Sequence, residues 1–407
     1  MKSYLGLSLL CTAYLGLAPS AAARTVPTWT GETSRVTAQE VRAIVQQAVE
    51  GKNRPRRKAK AELRALDHEA IPALLEVFAG RDLKAAEPTE ISDEPLFEIP
   101  PPPPWLNEVL LETIELRPAE EVSRAVERFL DGSTVDERVL VFQVIERIDH
   151  RDAVDLWLDL VANIPSLHYS RAYVANPMQH SLATVLRDVP ASINRLSKRV
   201  NKVDEALLPM IVRSIAIARV AQGTDLLREL YGDQRELDLE LLDAGGRLER
   251  FDDDFRLEAE TRWIREALEH TDPAYRARAS VALGRLHAAF AVNELIARLS
   301  DEDRSVRRSA LWALQELSGN AWSGDAKRWS DWWASEENWL NESFDSTLDG
   351  LRSDDPARKL AALDALSLHP VYAPRIVREL SVLQFEDPTL AKRAQALRTN
   401  FETRINE

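Results

Sequence analysis

The chain has 407 residues, 45% of them hydrophobic and 29% charged, with a formal net charge of −14. This charge repels phosphate backbones, so it argues against nucleic acid as the main partner and favours neutral, basic or protein-like partners. The one cysteine, Cys11, lies in a segment that we expect to be removed. The mature chain then has no disulfide and must be held together by hydrophobic packing.

Residues 1–23 have the features of a secretory signal peptide. Lys2 precedes an apolar run over residues 4–17, and small residues follow at 20–23. The run is too short to span a bilayer, and no later stretch is apolar over the length that spanning needs. We therefore expect cleavage near Ala23 and export to the periplasm or the exterior of a bacterium. Loss of Lys2 brings the net charge to about −15.

Residues 24–79 are predicted to form one or more helical hairpins. They contain a basic run between Lys52 and Lys60, which is either the solvated face of a helix or a patch for an anionic surface. Residues 80–104 are acidic and end in five prolines, a composition that favours an extended linker or surface arm. Such a segment can also dock a partner that recognises proline, but spacers of this kind are more common.

Residues 105–271 are predicted to be divergent helical repeats. The segments 136–161 and 204–232 each contain two apolar stretches at helical spacing, separated by a short break. Between them, residues 165–180 read PSLHYSRAYVANPMQH, which predicts a polar and aromatic loop that could carry a binding site.

Residues 272–407 repeat one pattern. Segments starting at Asp272, Asp303 and Asp355 read DPAYRARASVALGRL, DRSVRRSALWALQEL and DPARKLAALDALSLH. The aspartate predicts a helix N-cap, proline suits the first helical position, and the alanines let a neighbouring helix approach closely. A second apolar stretch follows, so each unit of about 30 residues is a helical hairpin that must stack on its neighbours.

The aspartate, the basic residue four positions later and the Ala-x-x-Ala-Leu set resemble the short bacterial form of the HEAT repeat, most clearly over residues 272–317. The resemblance implies an all-α solenoid, a curved superhelix of stacked hairpins. The pairs Asp272/Arg276 and Asp303/Arg307 are expected to face each other on their own helices as a structural charge ladder. Their repetition argues against catalysis, which needs a single site.

Residues 319–340 form an insert that holds half of the ten tryptophans. Gly319 is expected to end one helix, and Ser323 or Asp325 to cap the next. The tryptophans fall at helical spacing and form an apolar stripe along this helix, which is interrupted by the polar residue Glu336. Such a cluster is either a packed structural plug or a carbohydrate-binding platform, and helical spacing favours the plug. It also resembles an insertion found after a repeat in some exported bacterial HEAT-like proteins. Its tryptophans are Trp322, Trp329, Trp332, Trp333 and Trp339.

Other patterns point only weakly to chemistry. Asp252 to Asp254 lack the spacing of a calcium loop, so an acidic turn is expected. One class of HEAT-like enzymes holds iron with repeated His-Glu pairs, but His68-Glu69 is the one such pair in this chain. The chain also lacks the motifs of zinc proteases, serine hydrolases and nucleotide-binding loops. We therefore predict no catalytic residue, no cofactor and no metal.

The sequence thus predicts an exported HEAT-repeat scaffold that binds a protein or peptide on its concave surface, without catalysis. Two alternatives stay open. One is carbohydrate or cell-wall binding through the tryptophan insert. The other is a hydrolase with its site in the 165–180 loop, where His168 and His180 would be the residues to replace.

Overall fold

The computed structural model describes residues 38–50, 53–66, 68–79, 104–130, 133–165, 169, 172–232, 234–248 and 254–406. Within these ranges the chain folds into helices, and no β-strand occurs. The expected signal peptide, residues 1–23, and the acidic, proline-rich segment up to residue 103 lie outside the described residues.

The α-helices are α1 (Ala38–Glu50), α2 (Asn53–Ala65), α3 (Ile71–Phe78), α4 (Pro104–Glu115), α5 (Ala119–Leu130), α6 (Val135–Ile145), α7 (Ala153–Ala162), α8 (Ala172–Asp188), α9 (Ile193–Val200), α10 (Leu208–Ala218), α11 (Gly223–Leu230), α12 (Arg235–Gly245), α13 (Asp254–Glu260), α14 (Arg262–Glu266), α15 (Pro273–Arg285), α16 (Val292–Arg298), α17 (Arg304–Ser318), α18 (Ala326–Glu342), α19 (Phe344–Arg352), α20 (Pro356–Ser367), α21 (Ala373–Val382) and α22 (Pro388–Asn406). Short 3-10 helices span His68–Ala70, Pro190–Ser192, Glu205–Leu207, Ala267–Glu269, Ala289–Ala291 and Pro370–Tyr372.

Successive helices alternate between two layers. In the first layer, α2, α4, α6, α8, α10, α12, α15 and α17 contact one another in that order. In the second layer, α1, α3, α5, α7, α9 and α11 do the same, and α16 contacts α18. A hydrophobic core runs between the layers from Val41 to Phe401. The chain is therefore an all-α solenoid, as the sequence predicted.

The predicted helix starts are confirmed at the aspartate caps. Asp272 Oδ1 accepts a hydrogen bond from the Ala274 backbone N–H at 2.8 Å. Asp355 does the same for Ala357 at 2.9 Å, and Asp303 accepts from the backbone N–H of Ser305 at 2.7 Å. These bonds satisfy backbone donors that a helix start leaves without partners, so the carboxylates fix where each repeat begins.

Small residues let α12, α15 and α17 pack closely. A Cβ added to Gly246 would lie 2.6 Å from Ala282 Cα, and one added to Gly284 would lie 2.9 Å from Ala313 Cα. Ala282 and Ala313 are themselves fully buried. The Ala-x-x-Ala set therefore does what the sequence predicted, since it brings the backbones of neighbouring first-layer helices together.

The expected pairing of aspartate and arginine within one helix is wrong. Arg276 instead forms two hydrogen bonds of 2.8 Å with the carboxylate of Asp301, in the turn of the next repeat. Its Nη1 also donates to the backbone carbonyls of His270 and Thr271, each at 2.9 Å. Arg307 binds the equivalent carbonyls of Asp301 and Glu302. Asp272 does not pair with Arg276, because one of its oxygens caps the helix and the other accepts a hydrogen bond from Arg235 Nε at 2.7 Å.

The predicted loop at 165–180 is also largely wrong, because α8 already begins at Ala172 and contains Pro177. Proline removes one backbone hydrogen bond near the start of the helix. The packing of α8 against both α6 and α10, with Met178 and Leu182 fully buried, outweighs that loss. The helix therefore continues through Pro177 because tertiary contacts outweigh the local preference of proline for a helix break.

The last described helix, α22, packs against α20 and α21 and reaches back to earlier repeats. The backbone carbonyl of Arg404 lies 3.1 Å from His287 Nε2, across a separation of 117 residues. The Arg404 guanidinium also donates to the backbone carbonyl of Glu316. α22 therefore links the turn after α15 and the end of α17 to the last repeat.

Candidate functional site

The tryptophan insert centres on α18, and two of its five tryptophans, Trp329 and Trp333, are buried, while Trp322, Trp332 and Trp339 are half-buried. Gly319 ends α17 with a φ of 73°, and Asp325 caps α18 by accepting from the backbone N–H groups of Lys327 and Arg328. Trp329 is completely buried and Trp333 is 7% exposed. The Trp329 indole N–H donates to the Ser323 carbonyl at 2.9 Å. These two rings belong to the core of the solenoid.

The remaining insert tryptophans extend this core into a chain of ring contacts. Trp329 lies 5.1 Å from Trp322 and 5.6 Å from Trp332, measured between ring centroids. Trp339 stacks on His369 at 3.5 Å. The tilted and edge-on arrangements are those that aromatic rings favour, so the cluster ties α18 to the turn after α20.

Glu336, the polar residue in the stripe, is buried at the centre of the cluster. Its carboxylate accepts a hydrogen bond from Trp332 Nε1 at 3.0 Å, and its other oxygen lies 2.7 Å from His369 Nδ1. Burial, together with the nearby Glu336 charge, raises the pKa of the Tyr372 hydroxyl. The carboxylate therefore gives the ring nitrogens of Trp332 and His369 a partner in the core and does not interrupt the packed face. This geometry favours the structural plug over the carbohydrate platform.

The first layer carries a groove rich in arginine, here called the arginine groove. It lies across α8, α10 and α12 and encloses about 320 Å³. Arg213, Arg219 and Arg247 line it together with Glu240 and Asp243. Arg213 Nε stands 3.8 Å from Glu240 Oε2, a loose pair at a half-exposed position.

Two further arginines approach the same groove from α15. Arg278 forms an ion pair with Asp243, and Arg285 Nη1 lies 3.5 Å from the other Asp243 oxygen without making a hydrogen bond. Burial lowers the pKa of Arg285, and the neighbouring positive charge of Arg247 lowers it further. In the described part of the groove, three arginines and two carboxylates form the lining, and one of those carboxylates, Asp243, is already shared by Arg278 and Arg285 from α15.

A second groove of opposite charge, here called the acidic groove, adjoins the first. It encloses about 630 Å³ between the ends of α4, α6 and α8. Arg147 is held by Glu115 at 3.2 Å. Burial raises the pKa of Glu146, while His180 and Arg147 act in the opposite direction. The acidic residues that line this groove are Glu115, Glu146, Asp149 and Asp188.

Large apolar side chains are exposed on the same layer. Ile217 lines the arginine groove and is 43% exposed. Trp312 on α17 is 37% exposed and lies over Gly284 of α15. Apolar anchors beside charged groups are typical of protein-binding surfaces.

The other residues singled out in the sequence do not converge on one site. In α2, Lys58 pairs with Glu62 at 3.2 Å on the helix surface. Glu69 lies in a 3-10 helix, and Asp254 begins α13. His180 is exposed in the acidic groove. The positions outside the described residues are Lys52, Asp252, Asp253 and His168.

Two further findings hold for the described ranges. No group of three or more His, Cys, Asp or Glu side chains is arranged there to hold a metal ion. None of the helices in those ranges has both the length and the apolar character needed to cross a membrane.

Residues 261–327 match the family model described as HEAT repeats. The match covers α15, α16 and α17, where the capping aspartates, the buried alanines and the arginine bonds to turn carbonyls were found. The resemblance predicted from the sequence is therefore confirmed, and this part of the solenoid is built of HEAT repeats. Solenoids of this type typically serve as scaffolds for protein interactions.

Solved structures show a distant likeness. A crystal structure of an engineered protein is 15% identical, with a TM-score of 0.32, and the alignment covers 89% of this chain and 98% of that one. A crystal structure of the karyopherin Kap121p bound to the extreme C-terminus of the protein phosphatase Cdc14p is 12% identical, with a TM-score of 0.33. That alignment covers 90% of this chain but 38% of the karyopherin. No curated protein matches the chain in sequence.

Proposed function

We propose that this protein is an exported scaffold that does not catalyse a reaction. It binds a protein or peptide partner on the solvent-facing surface of its first layer of helices, which is the concave surface of the solenoid. The observation that carries the proposal is that this one layer presents two adjoining charged grooves, with the exposed Ile217 at one of them, and a second exposed apolar side chain, Trp312. The close approach of α12, α15 and α17 supports this layer as the concave side, because helices are closer together on the inside of a curve.

The tryptophan insert supports the same proposal by its position. Because Trp329 and Trp333 are buried, their faces are not open to a sugar ring. The insert instead ties the second layer to the following repeat, through contacts of α18 with α16 and α19. A binding surface on a rigid stack needs such internal supports, since ordering the surface in advance reduces the entropy lost on binding.

Site-specific photo-crosslinking tests the proposed binding face. A photoreactive phenylalanine is placed at position 217 or 312 in the first layer, and at the exposed position 293 of α16 as the matched control in the second layer. The protein is irradiated in envelope extract, and the adducts are identified by mass spectrometry. We expect the same protein partner at 217 and 312 and not at 293. No adduct at 217 or 312, or an identical set at all three positions, would contradict the proposal.

Export is tested separately. The intact mass of the protein recovered from the periplasm or the medium should correspond to a chain that begins near Arg24. Recovery of the chain from the cytoplasm alone, with residues 1–23 still attached, would show that export is wrong while leaving the binding face open to test.

A further inference from the structure

We propose that the partner segment is a peptide with two charge blocks, an acidic block that lies in the arginine groove and a basic block that lies in the acidic groove. This inference rests on the proposed function and specifies its ligand. It depends on the two grooves being direct neighbours. Gln179 lines the arginine groove, and the next residue on α8, His180, lines the acidic groove.

The arginine groove is suited to carboxylates. Guanidinium groups bind carboxylates through paired hydrogen bonds, and arginines outnumber carboxylates in the lining while Asp243 is already shared by Arg278 and Arg285. Ile217 at the same groove can pack against an apolar residue inside the acidic block.

The acidic groove is suited to lysine or arginine. Arg147 is already engaged by Glu115 and by Glu108, at 3.2 and 3.5 Å. Asp149 and Asp188 are exposed at the groove. Glu146 also lines it, and burial raises the pKa of its carboxyl group. A positive side chain entering the groove would offset the repulsion among these carboxylates.

The spacing of the grooves sets the length of the peptide. Packed helices lie about 8–10 Å apart, so the groove centres, between one and two helices from each other, are separated by roughly 8–20 Å. An extended chain covers this distance in about three to six residues. Two blocks joined by a neutral spacer of that length can therefore occupy both grooves at once.

The same polarity argues against a nucleic acid. A strand that placed phosphates in the arginine groove and continued across α8 would bring its next phosphates against Glu146, Asp149 and Asp188. A peptide avoids this repulsion because the sign of its charge can change along its length.

Fluorescence anisotropy with the mature chain tests the inference. One labelled peptide has four glutamates, a five-residue Gly/Ser spacer and four lysines. A second has the same composition with the charges alternating, and a labelled oligo-dT serves as the polyphosphate probe. We expect the block peptide to bind at least about tenfold more tightly than the alternating peptide, because only the block peptide matches both grooves. Equal affinities, or tighter binding of oligo-dT, would overturn the proposal.

Charge reversals locate the two blocks. Arg247→Glu and Asp149→Lys should each weaken block-peptide binding about tenfold, because each loses an ion pair and gains a like-charge contact. The exposed residues Arg304 and Glu386 lie outside both grooves, so Arg304→Glu and Glu386→Lys are the matched controls and should bind as the unaltered chain does. Circular dichroism checks that all four variants are folded.

Equal losses in the groove and control variants would show that binding follows overall charge, which contradicts the two-groove inference. If the peptides fail while positions 217 and 312 still crosslink a partner, this inference is wrong and the proposed function stands. If crosslinking fails too, both are wrong.

Discussion

Replacing Trp329 with alanine should strongly destabilise the solenoid around the tryptophan insert. The side chain is completely buried, contacts the rings of Trp322 and Trp332, and donates a hydrogen bond to the Ser323 carbonyl. An indole buries about 200 Å², which corresponds to about 5 kcal/mol at 25 cal/mol per Å². Partial relaxation of the neighbours brings the expected loss to about 3–5 kcal/mol.

Urea unfolding followed by circular dichroism measures this loss. A thermal melt gives a second measure of the same loss. If the chain unfolds as one unit of roughly 370 residues, a loss of 4 kcal/mol lowers the melting temperature by about 5 °C. Stability in a solenoid is partly local, so hydrogen exchange of residues 326–342 should show the largest change. Leu368→Ala is the control, since that side chain is 73% exposed and its loss should cost less than about 0.5 kcal/mol. Equal losses in the two variants would refute the structural plug.

Two other variants probe the repeats themselves. Gly246→Ala should lower the free energy of unfolding by about 1–3 kcal/mol, because the new Cβ would clash with the backbone of Ala282. Gly324→Ala, with Leu299 3.9 Å away as its nearest contact, should unfold in urea like the unaltered chain, and equal losses in the two glycine variants would contradict the close helix approach. The hydrogen bond from Arg276 lowers the pKa of Asp301 below its unfolded value, so the stability from this carboxylate is present at neutral pH and is lost as pH falls below about 4. Asp301→Asn should therefore lose less stability than the unaltered chain between pH 7 and pH 3, and an unchanged loss in thermal melts would argue against this pair.

The helices of the repeats were predictable because their signals are local. The aspartate at 272, the proline after it and the alanines at 279 and 282 specify a capped helix with one face for close packing, and the structure has all three features. At 172–180 the local signal was misleading, since a proline that suggested a break is carried inside a helix buried on both sides. Arg276 shows the same limit, because its partner Asp301 is 25 residues away and no spacing rule within one helix could identify it.

The arginine groove could not be predicted from the sequence for a related reason. Arg213, Arg247 and Arg285 are separated by more than 30 residues each, so no charge run marks them. They meet because α10, α12 and α15 lie side by side, and that arrangement depends on the stacking of whole hairpins. The role of Glu336 was hidden in the same way, since the partner His369 comes from a later turn.

The link between Arg404 and the turn at His287 changes how this end of the solenoid should come apart. In an open array the terminal hairpin can peel away alone, because it touches one neighbour. Here α22 bridges back to residues 287 and 316, so releasing it disturbs three hairpins together. This stretch should behave as a single cooperative block that resists fraying and limited proteolysis.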